Sequence, residues 1–147
     1  MAELRLAVQG HSRFKGLPAR ATLARWIRLA LEGDAEITLR FVGSAEGRRL
    51  NRDYRGKDHA TNVLTFDYAR APMLHADIVL CVPVIRREAR EQHKTLRNHL
   101  AHLVVHGVLH ARGHDHDRAA RAKQMEALEV AILGRIGLPD PYRPPAA

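Results

Sequence analysis

His106 and His110, at i and i+4 in the run His106-Gly107-Val108-Leu109-His110-Ala111-Arg112-Gly113-His114-Asp115-His116, share one face of a helix a single turn apart. That spacing lets one divalent cation accept both imidazoles. Gly113 follows the last periodic residue, and its freedom at positive φ suits a left-handed turn that would bring His116 back as a third ligand. Three histidines leave one position of a tetrahedron open to water or a substrate oxygen, the arrangement of a catalytic rather than a closed structural zinc site. One Zn2+ per chain is the expectation.

The chain has 10 histidines, and coincidence must be weighed. At ~100° per residue, His99, His102, His106 and His110 fall within roughly an 80° sector, so the helix carries a histidine stripe whose members could equally be satisfied core side chains. What separates His106 and His110 from the rest is the helix break beyond them, with His114, Asp115, His116 and Asp117 crowded after Gly113. His114 could also close the site as a fourth ligand, which would make the metal structural. Asp115 or Asp117 could hold a ligand histidine through its second ring nitrogen.

The same run resembles the signature of the YbeY family, the bacterial rRNA-maturation endoribonucleases, whose pattern is close to H-G-x-L-H-x-x-G-(Tyr or His)-D-H. A second block, Tyr54-Arg55-Gly56-Lys57-Asp58 followed by Thr61-Asn62-Val63-Leu64-Thr65-Phe66, is similar to that family's Y-R-x-x-D-x-P-T-(D/N)-V-L-(S/T)-F. A third, Ala76-Asp77-Ile78-Val79-Leu80-Cys81, is similar to its G-D-I-x-(I/L), and Met125-Glu126-Ala127-Leu128-Glu129 also echoes it. The resemblance covers about residues 3 to 137. It implies a single-strand-specific endoribonuclease that matures the 3′ end of small-subunit rRNA and takes part in ribosome quality control, with the small subunit and assembly factors as partners. Carried over by position, it implies His106, His110 and His116 as metal ligands and Arg55 as the active-site arginine. Arginine suits the role, since its planar fork binds two phosphate oxygens and never deprotonates. Ala60 and Ala76 stand where the family often has proline and glycine. Arg118, Arg121 and Lys123 make the start of the last helix more basic than the acidic versions associated with the family.

Two rival chemistries stay in view. Metalloproteases read H-E-x-x-H with the glutamate as general base, and here that position is Gly107, so a zinc peptidase lacks its base. An RNA- or ribosome-binding assembly factor with a structural metal would need bound metal without cleavage. For an RNase the missing carboxylate is less damaging, because the neighbouring 2′-hydroxyl can serve as nucleophile.

The elements that must hold these residues follow from periodicity. Leu4, Leu6 and Val8 alternate as a strand; Leu23, Trp26, Ile27, Ala30 and Leu31 form a helical stripe that Gly33 stops; Ile37, Leu39 and Phe41 alternate again. Ser44 is the expected N-cap of a short helix with Glu46 in its first turn and Leu50 and Tyr54 facing inward. Arg55 to Thr61 reads as a loop feeding a strand from Asn62 to Phe66. Arg70-Ala71-Pro72 marks a turn, and Ala76 to Val82 reads as a central strand covered on both faces. Pro83 opens a helix with a charged outer face, Arg86, Arg87, Glu88, Arg90 and Glu91. Thr95 caps the metal-bearing helix, which apolar residues surround almost completely. Asp117 is the expected N-cap of a last helix with Met125, Leu128, Ile132, Leu133 and Ile136 inward.

The expected fold is α+β: a single domain over residues 1–139, a small mixed sheet of about four strands packed with about five helices, the metal-bearing helix central, and a disordered tail over 140–147. At 147 residues the chain suits one domain with a real core. Its single cysteine, Cys81, excludes a disulfide framework. The formal charge of +8 fits a polyanionic partner, single-stranded RNA, with no DNA expected. No membrane helix and no signal peptide is read, so a cytoplasmic location is expected.

Overall fold

The computed structural model describes residues 3–114 and 118–143. The chain runs β1 (Leu4–Gln9), α1 (Arg20–Ala30), β2 (Ala35–Val42), α2 (Ser44–Arg55), β3 (Val63–Ala69), β4 (Leu74–Cys81), α3 (Val82–Glu91), α4 (Leu96–Ala111) and α5 (Ala119–Gly134). The strands form one mixed sheet in the order β1-β2-β4-β3. β1, β2 and β4 are parallel, and β3 runs antiparallel along the β4 edge. Among the described residues, four strands and five α-helices in one α+β domain match the expectation from sequence.

Strand alternation divides the hydrophobic side chains between two faces of the sheet. On one face Ile37, Leu39, Phe41, Ala76, Ile78 and Leu80 pack with α1, α4 and α5 in the main core. On the other, Val42, Leu64, Val79, Cys81 and Val84 form a smaller core joined by Leu50 of α2 and by Phe66. The β4 strand is the central strand predicted, yet it is covered on both faces only toward its C-terminal end: Leu80 and Cys81 are buried, whereas His75 is exposed and Asp77 half-buried. The helices α2 and α3 reach only that end of the second face.

The α4 helix sits in the middle of the molecule, as its apolar surround requires. The Thr95 hydroxyl accepts a hydrogen bond from the Asn98 amide at 3.0 Å and caps it. Gly107 faces the sheet so closely that a β-carbon there would lie 2.9 Å from Ile78 Cγ2, so the missing side chain is what lets helix and strand meet. Past the end of α4, Gly113 takes φ 103°, the left-handed turn the sequence predicts.

Several local expectations change. Gly43 rather than Ser44 is the N-cap of α2, and no side chain caps it. Tyr54 is not inward but 67% exposed, its ring edge-on to Phe66, because it lies beyond the end of the smaller core. Arg55 closes α2 instead of opening a loop, β3 continues past Phe66 to Ala69, and α1 ends at Ala30, before Gly33. Glu88 turns inward from its charged neighbours to accept hydrogen bonds from Asn62 and His99. The proposed Asp117 cap lies outside the described residues; Arg118 precedes the first turn of α5.

Candidate metal and phosphate site

The segment between α2 and β3 is pinned before it reaches the site. Gly56 takes φ 70° and ends α2. Arg48 then holds Asp58 through two hydrogen bonds of 2.8 Å, lowering the pKa of that carboxyl, and buried Asn51 donates to the His59 carbonyl at 2.7 Å. Asn62 is fixed next. Its amide donates to Glu88 at 3.0 Å, and its side-chain oxygen accepts from the Val63 amide at 2.7 Å. Glu88 in turn meets His99 of α4 at 2.9 Å. Burial would raise the Glu88 pKa, but these partners hold it below the usual range.

These supports shape a cleft of about 350 Å3 whose lining includes Arg55, Thr61, Asn62, Thr65, His106 and His110. Of the sequence-predicted residues, the structure brings Arg55, His106 and His110 to this one cleft from two separate helices. His116, the third predicted ligand, lies outside the described residues, as does Asp115. A larger cleft of about 450 Å3 between the start of α4 and the Leu138–Arg143 segment has no pair of histidines at helical spacing, so size does not mark the site.

The histidine stripe resolves into distinct partnerships. His99 goes to Glu88, while His106 Nδ1 lies 2.6 Å from Glu129 Oε1, and His102 Nε2 lies 3.5 Å from the same oxygen and 3.2 Å from the Tyr142 hydroxyl. Tyr142 also donates a hydrogen bond to the other oxygen of Glu129. Burial opposes charge on Glu129, which has no exposed surface, but the bonds from His102, His106 and Tyr142 outweigh it and hold its pKa at about 2. Burial, then the bond to Glu129, push the Tyr142 hydroxyl up. An ionised carboxylate can only accept, so His106 donates from Nδ1, and in the neutral ring that leaves the lone pair on Nε2, the tautomer a histidine needs to ligate a cation through Nε2. Two imidazoles at helical spacing, one of them oriented by a buried carboxylate and both lining a polar cleft, fit a borderline cation such as zinc. His102, His106 and Glu129 are a second grouping that could hold a metal: their ligand atoms lie within 4.8 Å of one another.

Glu129 and Tyr142 are the residues that sequence reasoning missed. The signal for Glu129 was present: it sits on the inner stripe of α5, four residues after Met125 and four before Leu133, where an acid must have a buried partner. Tyr142 falls in the segment predicted as tail, and only the fold shows that residues 140–143 return toward α4 and α5.

The fold is similar to that of a solution structure of a Thermotoga maritima protein, 24% identical, with a TM-score of 0.58 over 94% of this chain and 99% of that one. The family model described as Endoribonuclease YbeY matches residues 12–137. Among curated proteins, the Endoribonuclease YbeY of Acidovorax sp. (strain JS42) is 61% identical over 124 residues, covering 84% of this chain and 82% of that protein. That of Paracidovorax citrulli is 55% identical over 147 residues, 95% and 96% of the two chains. On the extent of that match, the chain belongs to the endoribonuclease YbeY family.

Proposed function

We propose that this chain is a metal-dependent endoribonuclease acting in rRNA processing, that it cuts single-stranded RNA in the maturation of the 3′ end of small-subunit rRNA, and that it serves ribosome quality control in the cytoplasm beside the small subunit and its assembly factors. RNA is its substrate and partner. No helix among the described residues is long and apolar enough to cross a membrane. The observation that carries the reading is the convergence of Arg55 with His106 and His110 on one polar cleft.

The residues that would hold the metal are His106, His110 and His116, one Zn2+ per chain. When bound, zinc supplies Lewis acidity toward a phosphoryl oxygen or a water molecule. The chain's own groups do the rest. Arg55 grips two oxygens of the scissile phosphate and offsets charge developing on phosphorus. Thr61, Asn62 and Thr65 offer hydrogen-bonding groups along the same wall, with Asn62 held rigid by Glu88. Glu129 keeps the His106 ring in its ligating tautomer. Gly107 stands where a peptidase has its general base and is packed against Ile78, so the peptidase alternative has no catalytic carboxylate at that position.

The test is cleavage of a labelled single-stranded RNA by the native chain, His110→Ala and Arg55→Ala, purified identically. The variants are expected to lose on the order of 10²–10³ in rate while keeping the native circular dichroism. Equal cleavage by all three would reveal a contaminant. Bound metal without cleavage would instead favour a structural ion, for which His102, His106 and Glu129 are the alternative ligands.

A further inference from the structure

The half of the second sheet face that α2 leaves uncovered carries a groove of about 300 Å3, lined in part by Gln9, Thr38, Arg40, Tyr54, Phe66 and Tyr68. Of the large hydrophobic side chains exposed among the described residues, Tyr54 at 67% and Tyr68 at 59% both lie on it. Their rings stand beside other rings. Tyr54 meets Phe66 with centroids 5.1 Å apart, and Tyr68 meets His75 at 5.1 Å. The Tyr68 hydroxyl donates to Asp77 at 2.7 Å, which fixes the tyrosine and occupies the acid lying within the groove. Glu46, in the first turn of α2, is engaged by Arg40 and lies within 3.9 Å of Arg13 and Arg49.

Two junctions join this groove to the cleft that holds His106 and His110. The first is β3, an edge strand with alternating sides: Val63 and Thr65 line the cleft, while Phe66 and Tyr68 line the groove. The second is the end of α2, where consecutive residues part, Tyr54 to the groove and Arg55 to the cleft. We propose that the groove is a base-stacking track for single-stranded RNA, and that a strand passes around the edge of β3 from Tyr68, Phe66 and Tyr54 to the cleavage site. The proposal rests on the endoribonuclease reading of the cleft.

Base faces stack on aromatic rings whatever their sequence, and polar groups between the rings can meet sugars and phosphates. Arg40, Arg13 and Arg49 outnumber Glu46, the acid they share, and with a net charge of +8 supply the complementary sign. Thr38 and Arg40 lie among the rings, where they can meet a sugar-phosphate backbone between stacked bases.

The test measures binding of a fluorescent, 2′-O-methylated single-stranded RNA of about twelve nucleotides to the zinc-loaded full chain by anisotropy, a length within the range that such tracks occupy. Tyr54→Ala, and Tyr68→Ala in an Asp77→Asn background that removes the acid the Tyr68 hydroxyl covers, are each expected to weaken binding relative to their parent by about fivefold or more, from the lower end of stacking losses, while Tyr54→Phe and Tyr68→Phe in the same backgrounds bind within about twofold of the parent. Photo-crosslinking of the native chain to 4-thiouridine RNA should label peptides carrying Tyr54 or β3. The track is overturned if the alanine variants bind as tightly as their parents, if the phenylalanine variants fall as far as the alanine ones, or if crosslinks map only elsewhere. It is equally overturned if native protein sediments as a dimer that Tyr68→Ala dissociates, which would make the face a contact between copies. Tyrosine-dependent binding without any RNA cleavage would sink the reading of the cleft and leave the track. Cleavage that His110→Ala abolishes, with binding indifferent to the tyrosines, would sink the track alone.

Discussion

A carboxylate with no exposed surface 2.6 Å from His106 Nδ1 decides which imidazole nitrogen carries the lone pair. Replacing it by an amide keeps the volume but lets the group present either a donor or an acceptor, so the tautomer is no longer enforced. Glu129→Gln is therefore expected to weaken zinc binding about ten- to hundredfold, the usual effect of losing such an outer partner, measured by competition with a chromogenic chelator. An unchanged affinity would reduce Glu129 to a packing role. The same assay separates the two candidate ligand sets. If His102, His106 and Glu129 held the ion, His102→Ala would cost as much affinity as His106→Ala, and His110→Ala would cost little. At this scale the sequence was informative where chemistry has a spacing, as with His106 and His110, and where a family block named Arg55. It did not pair Asn62 with Glu88, which it placed on a charged outer face, because the two are 26 residues apart in the chain.

At the scale of elements, the metal-bearing helix depends on its fit to β4. Alanine is the better helix former by roughly 0.5–1 kcal/mol, so on propensity alone Gly107→Ala would stabilise the chain. The contact argues otherwise: the new β-carbon would sit 2.9 Å from Ile78 Cγ2 and 3.3 Å from its Cδ1, inside a fully buried layer that cannot yield freely. Overpacking of this kind costs about 1–3 kcal/mol, so the net expectation is destabilisation by about 1–2 kcal/mol in urea unfolding. The sign should reverse in an Ile78→Ala background, where the space exists, and a cost that persists there would remove Ile78 as its cause. Periodicity locates the helix face that Gly107 occupies but not the strand it meets. Periodicity also explains the Tyr54 error. The i, i+4 spacing of Leu50 and Tyr54 shows that they share a stripe, but whether the stripe is covered along its length depends on how far α2 extends over the sheet, which only the fold decides.

At the scale of the whole molecule, the proposed ion ties parts that are remote in sequence. Its ligands stand on α4 and in the segment beyond it, Glu129 comes from α5, and Tyr142 reaches Glu129 from beyond that helix. A cation that binds the folded chain and not the unfolded one adds RT ln(1 + [L]/Kd), about 2.7 kcal/mol at a free concentration a hundredfold above Kd. In a domain of about 150 residues each kcal/mol moves the thermal midpoint by about 2–4 °C, so chelation should lower it by about 5–10 °C, followed by near-ultraviolet circular dichroism. The decisive comparison is His110→Ala. If the ion sits in the cleft, that variant should start near the chelated midpoint and respond little to either zinc or chelator, because one of its ligands is gone from both forms. A full shift retained in His110→Ala would place the ion against His102, His106 and Glu129, at the contact between α4 and α5, where it would hold the two helices together.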